Sequence, residues 1–285
     1  MQTSPKPAPD APPSAQWPAV RTVGISQSLH WLALAWQDMA KCGWLSFAHG
    51  LVMALAGAFI LLVAHDRFWL MAGALSGFLV VAPVLATSLY ALSRALERGE
   101  TISFQVVLAT WVKRTHGPRG SWRKENWALI QLGVLLTVAA TFWVMTSAAL
   151  ITLLSPVPIN APSDFVRHVL LATDSYLFEI WMTLGGAMAA PIFASTVVAM
   201  PLLLDRRITL LQAVLTSWRV VLANPAPMAF WAMVIAGFTL LGLGSALLGL
   251  VAVIPMLGHA SWHAYRDLVD ASSLPARDGP VEETR

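Results

Sequence analysis

The sequence predicts an all-α fold: a polytopic helical membrane protein with six transmembrane helices, arranged as three parallel hairpin repeats. Each repeat is expected to begin with an amphipathic helix that lies in the membrane interface. Three observations lead to this prediction. They are the composition of the chain, the positions of its uncharged stretches, and the distribution of its basic residues.

The composition argues against a soluble globule. Of the 285 residues, 57% are hydrophobic and 12% are charged, whereas soluble domains have about 45–50% apolar and about 25% charged residues. Thirteen Trp against three Tyr fit a membrane protein, because the indole ring suits the membrane–water interface. The net charge of +3 is better explained by membrane topology than by nucleic-acid binding, so no nucleic-acid partner is expected.

The uncharged stretches give the number of crossings. A crossing needs about 20 mostly apolar residues, and four stretches meet this need without Asp, Glu, Lys or Arg. A fifth stretch of 46 uncharged residues, Val220 to Tyr265, would be ~69 Å long as a helix, which is enough for two crossings. Its turn is expected in Leu241–Gly249, where three glycines favour a tight hairpin. The predicted spans are residues 44–64, 68–92, 127–154, 180–204, 226–242 and 247–264.

The basic residues sort by side. With six spans, sixteen of the 18 Lys and Arg residues lie on one side, and only Arg67 and Arg167 lie on the other. Since basic residues are retained in the cytoplasm, both termini are expected there. Residues 1–24 are expected to form a disordered Pro/Ala-rich cytoplasmic tail, residues 25–270 the membrane domain, and residues 271–285 a second cytoplasmic tail.

An apolar stripe at helical spacing precedes spans one, three and five. Such stripes, each with a Trp, are typical of helices in the membrane interface. Their members are Leu29, Leu32, Trp36 and Met39; Phe104, Leu108 and Trp111; and Ile208, Leu211, Leu215, Trp218 and Leu222.

The even-numbered spans share a Gly followed six residues later by a Pro. Interrupted spans at corresponding positions are a pointer to a binding cavity or hinge, although Gly and Pro also shape ordinary helix packing. Both interpretations stay open. The three pairs are Gly77 and Pro83, Gly185 and Pro191, and Gly249 and Pro255.

Few ionisable residues fall within the predicted spans or at their edges: His49 lies in the first span, Glu179 at the outer edge of the fourth, and His259 and His263 near the inner end of the sixth. His259 and His263 are four residues apart and share a helical face, from which two imidazoles can bind one metal ion, with His49 as a third candidate ligand. The alternative is that these rings hydrogen-bond neighbouring helices. The single cysteine, Cys42, cannot form an intramolecular disulfide, and no enzyme motif is present.

The closing segment Pro255-Met-Leu-Gly-His259-Ala-Ser-Trp262-His263-Ala-Tyr265-Arg266-Asp267-Leu268 resembles the end of a bacterial family of predicted integral membrane proteins, domain-of-unknown-function family 2189. The similarity covers about residues 25–270. It implies a multi-span protein of the bacterial inner membrane with no assigned activity. Further similar stretches are Trp36-Gln-Asp38, Gly77 to Pro83, Leu89-Tyr90 to Arg94, Pro201 to Arg206, Ser217-Trp218-Arg219 and Asn224-Pro225.

These features together predict a non-enzymatic membrane protein that needs no cofactor. It would act as a solute or lipid pathway, or as a membrane-embedded partner in an assembly with other membrane proteins. The alternative is an oxidase-associated protein that binds a metal or haem through His49, His259 and His263.

Overall fold

The computed structural model describes residues 17–111, 121–173 and 175–277. The described chain is predominantly helical, which confirms the all-α class. The helices are α1 Gln27–Cys42, α2 Trp44–Ala64, α3 Phe68–Leu85, α4 Thr87–Glu97, α5 Phe104–Trp111, α6 Ser121–Leu154, α7 Pro162–Phe165, α8 Leu177–Thr196, α9 Ala199–Asp205, α10 Leu210–Ala223, α11 Pro225–Gly244 and α12 Leu250–Leu268. A short π-helical turn, Val166–Leu170, follows α7.

Four helices of the described chain are long and apolar enough to cross a membrane. They are Trp44–Ala64 (α2), Trp127–Leu154 within α6, Leu177–Asp205, which comprises α8 and α9, and Pro225–Gly244 (α11). The predicted spans 68–92 and 247–264 are not among these four. The first divides into α3 and α4 on either side of Ala86, and α12 carries the polar closing segment of the chain. The count of six crossings and the threefold repeat therefore stay predictions.

Several helix ends follow directly from the sequence. Thr209 caps α10, since its hydroxyl accepts from the Gln212 backbone amide at 3.2 Å, and α11 begins with Pro225, which needs no amide partner in a first turn. Gly43 has a φ of 56°, a left-handed angle that favours glycine. It turns the chain directly from α1 into α2.

The turn between α11 and α12 lies where the sequence places it, but for a different reason. Its left-handed residues are Ala246 and Leu247, and not the glycines. Gly242 and Gly249 serve close packing instead. A Cβ on Gly242 would lie 2.6 Å from Leu250 Cδ2, and one on Gly249 would lie 2.5 Å from Ser245 Oγ.

The two ends of the described chain meet in a short antiparallel ribbon. Strand β1, Ala19–Val20, pairs with strand β2, Val269–Asp270, and Asn224 Oδ1 accepts from the Val23 amide at 2.8 Å. The structure thus differs from the predicted disordered tail in residues 19–24. The rest of that tail, residues 1–16, and residues 278–285 lie outside the described chain.

Helix α12 forms the centre of the packing. It lies against α1, α2, α4 and α11. The largest fully buried side chains include Trp31, Trp231, Trp262 and Tyr265, and the Trp31 and Trp231 rings meet edge to face at 5.4 Å. This core holds α1 and α4 around the C-terminal half of α12, where His259 and His263 lie.

The stripes predicted for the membrane interface are mainly exposed. Leu211 and Leu222 of α10 are exposed, and so are Phe104 and Leu108 of α5. In α1 the stripe divides: Leu29 and Trp36 are exposed, whereas Met39 is buried. Met39 belongs to a second apolar face that packs on the core with Trp31 and Ala35. The side chain of Trp111 lies outside the described residues.

Candidate functional site

A buried polar cluster lies where α1, α2, α4 and α12 meet. We call it the Asp38 cluster; its members are Asp38, Ser46, Ser93, His259 and His263. His259 and Ser46 are completely buried, and Asp38 is 6% exposed. His263 stands at the edge, with 20% of its side chain exposed. Burial of ionisable groups in a membrane protein is costly and marks a candidate functional site.

Hydrogen bonds connect the cluster without a gap. The Ser93 hydroxyl donates to Asp38 Oδ2 at 2.6 Å, and His263 Nε2 donates to the same oxygen at 2.9 Å. His259 Nδ1 lies 2.7 Å from Ser93 Oγ, and His259 Nε2 lies 2.9 Å from Ser46 Oγ. The two histidines therefore share a face, as the spacing predicts, and both approach one carboxylate.

The direction of these bonds follows from proton counting. Ser93 has one hydroxyl proton, which it donates to Asp38, so it can only accept from His259 Nδ1. In a neutral ring this leaves His259 Nε2 to accept from Ser46. The pair of Ser46 and His259 has the distance of a nucleophile and its base, and both residues are fully buried.

Two pKa values of α1 reflect this setting. Burial alone would raise the pKa of Asp38, but the hydrogen bonds from His263 and Ser93 outweigh it and hold that pKa below its usual value. Burial raises the pKa of the Cys42 thiol to about 11, so Cys42 stays a thiol at neutral pH.

The predicted metal ligands are only partly brought together. Among the described residues, no group of three His, Cys, Asp or Glu side chains is arranged to hold a metal ion. Both ring nitrogens of His259 already have serine partners. His49 lies apart from the Asp38 cluster's hydrogen bonds: its Nδ1 donates to the Leu45 carbonyl at 2.7 Å, and its Nε2 accepts from Ser88 Oγ at 2.7 Å. The bond to Ser88 joins α2 to α4, whereas the bond to Leu45 lies within α2. Metal binding by these rings stays a prediction.

His49 instead faces a pocket of about 270 Å³, which we call the His49 pocket. Apart from His49 and Ser88, the described residues of its lining are apolar. Val52 and Phe104 stand at its rim and are 63% and 58% exposed. The lining comes from α2, α4, α5 and α12 and consists of Ala48, His49, Val52, Met53, Ser88, Leu89, Phe104, Val107 and Ile254.

Five residues of the Gly–Pro pairs line neither this pocket nor the two others described, near Trp69 and near Trp17. They are Gly77, Gly185, Pro191, Gly249 and Pro255. Pro255 is buried in α12, whereas Pro191 is exposed on α8. A Cβ on Gly185 would lie 2.9 Å from Trp143 Cη2, whereas Gly77 has open space around it. Pro83 lies in α3, and its side chain is outside the described residues. The three pairs thus occupy unlike surroundings.

Acidic residues at the ends of α4 and α9 accept hydrogen bonds from the C-terminal end of α12. Glu97 accepts from Trp262 Nε1 at 3.1 Å and from Arg266 Nε at 2.9 Å. Asp205, only 3% exposed, accepts from the Tyr265 hydroxyl at 2.9 Å. These contacts join the C-terminal end of α12 to the ends of α4 and α9. Glu179 of α8 takes no part in them.

Residues 70–205 match the family described as predicted integral membrane protein (DUF2189). Over this range, which is slightly less than half of the chain, the protein is similar to that family, and it is an integral membrane protein with several apolar helices. The resemblance recognised in the sequence is thereby confirmed, although the match is shorter than residues 25–270 and ends before the closing segment. No curated protein and no solved structure matches the chain.

The matched range contains Ser93 of the Asp38 cluster and Ser88 of the His49 pocket. Sequence reasoning missed both residues. Serine is common in membrane helices and carries no spacing signal of its own. Asp38 was also missed as a site residue, although a signal existed: it is the only acidic residue of α1 and lies in the Trp36-Gln-Asp38 stretch of the resemblance.

Proposed function

We propose that this protein is a lipid pathway or lipid-binding protein of the bacterial inner membrane, and that the His49 pocket receives one acyl chain. The supporting observation is a pocket between apolar helices whose rim, Val52 and Phe104, is exposed on the surface that a bilayer would cover. Ligand sites are commonly apolar with a few polar groups, and His49 with Ser88 supplies such a polar end.

The size and charge of the pocket favour a chain over a whole lipid. Its volume of about 270 Å³ is slightly below the ~300–1,000 Å³ of sites for drug-sized ligands. Among the described residues no charged side chain lines it, so a phosphate headgroup would stay outside, near the basic end of α4. The occupant is therefore the apolar part of a lipid.

We further propose that the chain crosses the membrane six times, with both termini in the cytoplasm. The sixteen-to-two distribution of basic residues supports this orientation. In this arrangement α12 crosses beside α2, and Ile254 and His49 line the same pocket. The exposed stripes of α1, α5 and α10 would then lie in the inner interface.

The test uses purified protein in liposomes that contain a phospholipid with a photoreactive acyl chain. We expect adducts on the pocket residues of α2 and α5, and we expect Val52→Trp to reduce them severalfold because the indole fills the entrance. The matched control is Leu55→Trp, on the same helix, 61% exposed and outside the pocket. Equal labelling of both variants, or crosslinks only to a copurified protein, would refute the proposal.

The alternative is metal or haem binding at His259 and His263, with His49 as a further ligand. The observation in its favour is that the two rings approach the Asp38 carboxylate, at 2.9 Å and 3.9 Å. An absorption spectrum and metal analysis of the purified protein test it, with His259→Ala and His263→Ala as controls. A wild-type protein with neither metal nor a Soret band would remove this alternative.

A further inference from the structure

A second pocket lies between α3, α6, α7 and α8. It is near the turn between α2 and α3, whereas His49 lies near the start of α2. We call it the aromatic pocket, because five rings line it: Phe68, Trp69, Trp143, Phe165 and Trp181. Its volume is about 230 Å³. It shares no lining residue with the His49 pocket, so any ligand it binds is independent of the lipid site.

The rings are fixed before any ligand binds. Trp181 Nε1 donates to Ser147 Oγ at 2.6 Å, and the Trp181 ring centroid lies 5.7 Å from that of Trp143 and 5.6 Å from that of Phe165. Gly185 leaves the space that Trp143 occupies. Because these rings already have partners on one side, their remaining surfaces form a rigid wall, which reduces the entropy lost on binding.

The polar groups of the pocket restrict the chemistry of a ligand. Among the described residues no charged side chain lines it, so this lining does not balance an ionic ligand. Ser76 is a lining residue, and its hydroxyl has no hydrogen-bond partner among the described residues. A hydroxyl donor in an apolar site is best satisfied by a carbonyl oxygen.

The volume restricts the size. An apolar cavity of about 150 Å³ is enough to hold a benzene ring, and this pocket is larger by about half. Aromatic walls favour flat partners that stack or meet them edge to face. We propose that the aromatic pocket binds an uncharged one- or two-ring compound with a carbonyl group, such as the ring of a quinone, with Ser76 donating to that carbonyl.

The test is titration of the full-length purified protein with 2-methyl-1,4-naphthoquinone. Binding is followed by equilibrium dialysis and by quenching of tryptophan fluorescence. We expect saturable binding of one molecule per chain, and weaker binding of naphthalene, which lacks the carbonyl. Ser76→Ala should weaken naphthoquinone binding about fivefold, the effect of losing one hydrogen bond, and should leave naphthalene binding unchanged.

A second pair of variants tests the place of binding. Ala72→Phe puts a ring into the pocket, whereas Ala74→Phe makes the same change on the same helix outside the lining. We expect the first to abolish binding and the second to preserve it. The proposal is overturned if the wild type shows no saturable binding, if both variants bind equally, or if tetramethylammonium binds in place of the naphthoquinone.

Discussion

Asp38 is the residue on which the buried cluster depends, because its carboxylate accepts from both Ser93 and His263. Its pKa is lower in the folded protein than its ordinary value of about 3.9. The stabilisation that it supplies is therefore complete above that ordinary value, and it is lost as the pH falls through the lower, folded value.

Asp38→Asn should reduce the free energy of unfolding at pH 7 by about 1–3 kcal/mol, because an amide cannot replace both charge-assisted bonds. The difference from wild type should shrink as the pH falls below about 4. Thermal unfolding of the detergent-purified proteins at several pH values measures this. Asp66→Asn, at an exposed position, is the control and should change stability little. A constant difference at all pH values would contradict the assigned role.

Cys42 gives a second prediction for a single residue. It is 5% exposed, and the raised pKa of its thiol leaves little thiolate at pH 7.5, so a maleimide should label it only after unfolding. Labelling followed by intact mass measurement tests this, with denatured protein as the positive control. Rapid labelling of the folded protein would show that α1 does not pack as described.

At the scale of elements, the crossing of α2 and α12 is the closest helix contact involving a glycine. A Cβ on Gly50 would overlap the backbone of Val251, so no other residue fits without a shift of one helix. Small residues at such crossings let membrane helices approach closely. This contact also aligns His49 and Ile254 across the His49 pocket.

Gly50→Ala should therefore lower stability by about 1–3 kcal/mol or more, the usual cost of overpacking, and should weaken lipid labelling in the pocket. Gly77→Ala is the matched control, since nothing lies within 4 Å of a Cβ there and alanine favours a helix. Thermal unfolding of both variants is the measurement. Equal stability of the two would mean that the α2–α12 crossing is looser than described.

For elements, the sequence predicts helices well and their connections poorly. Uncharged apolar runs locate both ends of α2 and α11 within two residues, because hydrophobic length is a strong signal. The predicted span 127–154 misses the first six residues of α6, and the predicted span 180–204 covers α8 and α9 together. The break at Ala86 and the β1–β2 ribbon carry no such signal. The ribbon joins residues about 250 positions apart through backbone groups, which composition does not record.

For the whole molecule, the sequence also predicts the class and the family. It does not predict the site, because Asp38, Ser46, Ser93 and His259 come from four helices that meet only in three dimensions. The residue spacing indicates that His259 and His263 share a face. It does not indicate that the group between them is a carboxylate from α1.

The topology is the claim on which the placement of both pockets rests, since α12 must cross the membrane beside α2. It is tested most directly by fusing alkaline phosphatase or green fluorescent protein to the C-terminus in bacterial cells, with matched fusions in the loop around residue 157. Six crossings predict a fluorescent, phosphatase-inactive C-terminus and a phosphatase-active loop. An active phosphatase at the C-terminus, or an inactive one in the loop, would contradict the account.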